Sequence, residues 1–101
     1  MSSRESVEMS KSIERMLVLS TAHITQQTSE LLAADAMGEL VVYPKNGYGF
    51  FVLVPTEESQ AVSDCTEDLQ ACMALAKESG CQWLMLDRDA ETIETLPTYD
   101  W

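Results

Sequence analysis

An α+β fold with the order β-α-β-β-α-β is predicted by three features of the chain. Four short apolar runs, at residues 16–19, 40–43, 48–54 and 82–86, have the length and composition of strands. Two stretches between them repeat apolar residues at helical spacing, and each stops at a glycine, Gly38 or Gly80. Lys45-Asn46-Gly47 joins the middle two strands, and Asn-Gly favours the positive φ of a hairpin turn.

Residues 1–15, rich in Ser, Glu and basic residues, read as a loosely ordered extension with room for a short helix over Val7–Arg15. Residues 16–101 read as one domain. Met16–Leu19 is a continuous apolar run, which suggests a strand covered on both sides or central in its sheet. Thr25 is placed to cap a helix over Gln26–Met37, with Leu31, Leu32, Ala33, Ala36 and Met37 to one side. Leu40–Tyr43 and Tyr48–Val54 form the hairpin. Pro44 cannot donate to a ladder and confines the first of these strands to an edge. Thr56–Asp64 is a polar, acidic loop.

A second helix is predicted over Cys65–Ser79, with Asp64 and Glu67 at capping-box spacing. Cys65, Leu69, Cys72, Met73 and Ala76 form its apolar stripe. Gln82–Leu86 is the fourth strand, Asp87–Glu91 a polar turn, and Thr92–Thr95 a short fifth strand returning along the fourth. Leu96–Trp101 is an extended tail whose rings pack on the body or on a partner. This order is the split β-α-β arrangement of ferredoxin-like domains. Right-handed crossovers would give an antiparallel sheet, spatial order 4-1-3-2, with both helices on one face.

Charge narrows the function. Seventeen acids face six bases, for a net charge of −11. The first fifteen residues carry three of each, so residues 16–101 hold fourteen acids, three bases and the whole imbalance. Such a field repels nucleic acid and anionic membrane, and favours a basic partner. No apolar run approaches the ~20 residues of a membrane span. The N-terminus shows no apolar signal segment, and three cysteines fit neither a disulfide framework nor zinc spacing. A cytoplasmic location with reduced thiols is expected.

Several patterns invite chemistry. Gly47-Tyr48-Gly49-Phe50 resembles the RNA-recognition-motif signature, whose aromatics stack on bases. The first strand has no aromatic to complete that platform, and the bases that would contact phosphate are missing. Ser20 and His23 could form a nucleophile and base, but no nucleophile-elbow pattern surrounds Ser20. Asp87, Asp89 and Glu91 alternate like oxygen ligands, yet Thr92 stands where a calcium loop needs glycine. A solvated turn with Arg88 as counter-charge is the simpler reading. Neither a metal nor another cofactor is expected. Cys65 and Cys72 are read as small buried hydrophobes.

Leu19-Ser20-Thr21-Ala22-His23-Ile24, Tyr48-Gly49-Phe50-Phe51-Val52 and Leu96-Pro97-Thr98-Tyr99-Asp100-Trp101 together resemble a family of small uncharacterised proteins of proteobacteria, their plasmids and prophages. The resemblance covers the patterned chain and carries no assigned activity. It implies a bacterial setting and a mobile element. The leading expectation is a non-enzymatic, acidic interaction module. It would contact a basic or nucleic-acid-binding host protein through Tyr43, Pro44, Tyr48, Tyr99 and Trp101, or pair with itself along an edge strand. The alternative is a small-molecule or catalytic site around Ser20 and His23. RNA binding through the hairpin ranks behind both.

Overall fold

The computed structural model describes residues 13–38, 40–55 and 65–101. Residues 1–12 of the extension expected over 1–15, the loop over 56–64 and the capping role of Asp64 lie outside the described residues. The elements are β1 (Met16–Ser20), a 3-10 turn (Thr21–His23), α1 (Gln26–Ala33), β2 (Val42–Pro44), β3 (Gly49–Leu53), α2 (Glu67–Glu78) and β4 (Trp83–Asp87). The α+β class and the element order are those the sequence predicts. No described helix is long and apolar enough to cross a membrane.

The sheet differs from the ferredoxin-like expectation. Its order is β1-β4-β3-β2, not 4-1-3-2. It is mixed: β1 and β4 are parallel, while β4–β3 and β3–β2 are antiparallel. The reason lies in where α2 starts. A crossover that kept β4 parallel to β3 would need the helix itself to carry the chain back along the sheet. By Thr66, however, the chain already lies beside Thr28 at the N-terminus of α1, near the end where β1 finishes. The helix then returns the chain, and β4 starts opposite the last residue of β3, with Trp83 against Leu53.

β1 is therefore an edge strand, not a central one. Its apolar run divides between two faces: Leu17 and Leu19 turn inward, while Met16 and Val18 are 41% and 45% exposed. The places beside the middle of the sheet go to β3 and β4, whose Val52, Leu84 and Leu86 are fully buried. β2 takes the other edge, where Pro44 costs no ladder bond. The expected fifth strand is absent; Thr92–Thr95 forms no ladder.

The turn of the hairpin is closed by the Tyr48 amide donating to the Lys45 carbonyl at 2.8 Å, with Asn46 and Gly47 both at positive φ. Gly49 lets β3 lie close to β4. A Cβ there would sit 1.6 Å from the Leu86 carbonyl oxygen.

Both helices end in the same way. In α2, Gly80 is left-handed, the Gly80 amide donates to Lys77 and the Cys81 amide to Ala76. In α1 the equivalent residue is Asp35, at φ +53, with Asp35 donating to Leu32 and Ala36 to Leu31. The helix thus stops at Ala33, before the Gly38 that the sequence suggests as its end. Met37 still reaches the core beside Leu32.

The helix starts are tied to each other. The Thr25 side chain caps α1 by accepting from the Thr28 amide at 3.2 Å. The Thr25 amide donates to the Asp68 carboxylate at 2.7 Å. Thr66, the N-cap of α2, makes no capping bond with its side chain. Its hydroxyl instead meets the buried Thr28 hydroxyl at 2.7 Å. The buried residues of both helices join one core with Leu19, Val52, Leu84 and Leu86.

Two outcomes are expected from this junction. Thr28→Val keeps the shape but removes a buried hydroxyl bonded to Thr25 and Thr66. Urea denaturation should show a loss of about 1–3 kcal/mol. For Asp68, burial acts to raise the carboxyl pKa, but the Thr25 amide and the hydroxyls of Thr28 and Thr66 outweigh it, and the group sits below its ordinary value. A lowered folded value means that this stability is present above the unfolded carboxyl pKa of about 3.9 and fades as pH falls below it. The denaturation midpoint of Asp68→Asn, followed from neutral pH into that range, should decline less steeply than that of the parent chain.

Candidate functional site

The turn after β1 organises one end of the molecule. Ser20 Oγ accepts from the Ala22 amide at 3.1 Å and caps the 3-10 turn. This places His23 under the surface, 1% exposed. Its Nδ1 lies 2.8 Å from the Pro97 carbonyl, and its Nε2 accepts from the Ile93 amide at 3.0 Å. A carbonyl partner requires a proton on Nδ1, and an amide partner requires a lone pair on Nε2, so the neutral Nδ1–H tautomer is set. The flanking residues hold the rest of the tail. The Tyr99 amide donates to Ala22, and the Trp101 indole donates to Ile24 at 2.9 Å. The Ser-Thr-Ala-His-Ile segment and the Leu-Pro-Thr-Tyr-Asp-Trp tail are thus two halves of one junction.

That arrangement bears on the catalytic alternative. A general base needs a free nitrogen within reach of its nucleophile. Both nitrogens of His23 are engaged with the tail, and among the described residues Ser20 and His23 share no hydrogen bond.

A groove of about 640 Å³ opens above the junction, between the turn, the hairpin tip and the tail. Ser20, Pro44, Tyr48, Tyr99 and Trp101 all line it. Those five residues, nominated separately along the chain, come together here. His23 lies outside the lining, and Tyr43 lies on the sheet. The residue that sequence reading passed over is Arg88. It was assigned to balance charge in an acidic turn, whereas its guanidinium sits 4.7 Å from the centre of the Tyr48 ring. The available signal was its rarity, as one of three bases after residue 15.

The acidic turn itself holds together internally. Lys45 bonds to the Asp87 carboxylate, and that bond is the leading cause of an Asp87 pKa below the usual carboxylate range. The Asp89 amide donates to the other Asp87 oxygen at 2.8 Å. Among the described residues no group of three His, Cys, Asp or Glu side chains is placed to hold a metal ion. Burial, with the Asp68 carboxylate adding to it, pushes the Cys72 thiol up to about 12, so it is an inert core residue.

A second surface is the sheet face away from the helices. Strand pairing sets Val18, Met85, Phe51 and Tyr43 in one row across it. Met16, Trp83 and Leu53 form the next exposed row. All seven side chains are apolar or aromatic, none is fully buried, and Tyr43 is 54% exposed. The Tyr43 and Trp83 rings lie 6.1 Å apart, tilted by 40°. Phe50, part of the RNA-motif match, points the other way into the core.

A protein family described as "Family of unknown function (DUF5983) C-terminal domain" matches residues 16–101. No curated protein and no solved structure matches the chain.

His23→Phe tests the junction. It keeps a ring in the site but removes the partners of Ile93 and Pro97. Amide exchange at Ile93 and Tyr99, and at the Trp101 indole, should speed up about tenfold or more, equivalent to ~1.4 kcal/mol of local opening. Exchange within β3 and β4 should change far less.

Proposed function

The chain belongs to the DUF5983 family of unknown function, whose C-terminal domain spans residues 16–101, and on that footing we propose a protein-interaction module that docks its partner on the helix-free face of the sheet. The observation that carries this reading is the pair of apolar rows through Val18, Phe51, Trp83 and Met85, with no charged side chain at any of the seven positions. Contiguous apolar surface is costly to leave in water, and on a soluble domain it marks a contact site. Tyr43 and Trp83 supply the large amphipathic rings that anchor interfaces.

The partner's chemistry follows from charge. Residues 16–101 carry fourteen acids against three bases, so the apolar face sits in a negative field. A complementary partner presents an apolar patch ringed by Lys and Arg. A basic, nucleic-acid-binding host protein of a bacterial cytoplasm fits that description, and a mobile-element origin of this chain would suit such a target. The edge strands β1 and β2 border the same face, and either could add backbone pairing to the contact. No step of this reading requires catalysis.

The test is affinity capture from bacterial lysate at low and high salt, using the parent chain and a Val18→Glu/Tyr43→Glu variant. Both positions are exposed, so the variant should keep its circular dichroism. A captured protein rich in Lys and Arg, bound at low salt, weakened at high salt and lost from the variant, is the expected result. Each truncated interface anchor should cost about 1–2 kcal/mol or more. Equal capture by the variant would sink the proposal. So would sedimentation showing a tight dimer of the parent chain that the variant dissociates, since a second copy would then occupy the face.

A further inference from the structure

We infer that the groove over the Ser20–His23 turn is a binding site for a small organic anion with a flat, aromatic body, separate from the sheet-face contact. Its charge pattern is the reverse of the chain's. Acids outnumber bases seventeen to six in the sequence, yet the lining residues include no Asp or Glu and one cation, Arg88. Among the described residues Arg88 forms no ion pair; Lys45, not Arg88, holds Asp87. The guanidinium lies over Tyr48, which orients it while leaving its edge donors available.

Rings and hydroxyls stand among the small residues of the lining. Tyr48, Tyr99 and Trp101 are three of the chain's seven aromatic residues. The Trp101 ring is pre-positioned, because its N–H is bonded to Ile24. The Thr21 and Ser29 hydroxyls form no hydrogen bond among the described residues, and the Ser20 hydroxyl accepts one while keeping its proton to donate. A guanidinium and hydroxyl donors with no Asp or Glu side chain among them favour an anion, and flanking rings favour a planar body. The volume, about 640 Å³, lies within the ~300–1,000 Å³ usual for small-molecule sites. A polyanion does not fit: one cation in an acidic body provides too few phosphate contacts.

The experiment is a nuclear magnetic resonance titration of the full chain with three probes: 2-naphthoate, its neutral analogue 2-naphthamide, and acetate. The expected result is saturable shifts from 2-naphthoate at the Thr21, Tyr48, Gly49 and Tyr99 amides and the Trp101 indole, with a Kd of about 1 mM or tighter. The amide should bind about tenfold more weakly, and acetate not measurably. Arg88→Gln, at an exposed position, should reduce naphthoate affinity about tenfold and narrow its advantage over the amide. Arg88→Lys should recover part of the loss. Absence of saturable shifts at about 10 mM, ten times the expected Kd, overturns the inference. Equal affinity for acid and amide, or shifts confined to Val18, Phe51 and Met85, overturns it as well. None of these outcomes depends on whether a protein partner docks on the sheet.

Discussion

The buried imidazole of His23 joins the two ends of the folded domain. It stands one turn after the first strand, and it accepts and donates to a segment seventy residues further on. The bonds of Ala22 and Ile24 to the tail are additions to that bridge. Immediately after it, Thr25, Thr28, Thr66 and Asp68 tie the starts of both helices. The Cys72 thiol reaches back to the His23 carbonyl. One short stretch, Ser20–Thr28, thus fixes the tail, the helix pair and one wall of the groove. The bridge and the bonds of Tyr99 to Ala22 and of Trp101 to Ile24 together hold one side of the groove against the body.

The two helices pack on one side of the sheet, while on the other Met16, Val18 and Tyr43 are exposed and Phe51, Leu53, Trp83 and Met85 are half-buried. A chain of this size has little core to spare, so seven apolar side chains left on an open face are a substantial cost. The topology explains how that face came to be left open. With β4 inserted beside β1, the apolar run Met16–Leu19 becomes an edge strand with one side inward and one outward. The same insertion brings Trp83 and Met85 to the middle of the exposed side. Sheet order and exposed patch are therefore one fact, not two.

Charge and shape divide the surface into regions with different chemistry. The acidic excess of the sequence acts at long range as a negative field. The groove departs from that field locally, with a single arginine stacked on a tyrosine and no Asp or Glu among its lining residues. In the acidic turn beside it, the direct partners of the Asp87 carboxylate are Lys45 and the Asp89 amide, while the Arg88 charge acts on it without a direct ion pair.

Local rules were enough for the elements. Thr25 as a cap, the Asn46-Gly47 turn, Gly80 as a helix end and the stripe through Leu69, Cys72, Met73 and Ala76 depend on near neighbours in the chain, and each is where the sequence places it. Asp35 is the local exception: it takes the left-handed position that Gly38 advertised, because Leu31 and Leu32 offered their carbonyls a turn earlier. The α+β class and the acidic balance were also legible, and Ser20, Tyr48, Tyr99 and Trp101, singled out from the sequence, lie around one groove. What the sequence left open was every choice made across long separations. An apolar tetrapeptide such as Met16–Leu19 suits an edge or a centre equally, since side-chain pattern does not encode which strand lies alongside. The end of the sheet at which α2 begins decided that β4 would run parallel to β1. The partners of His23 and the stacking of Arg88 on Tyr48 likewise join residues forty or more positions apart, and only the closed fold could bring them together.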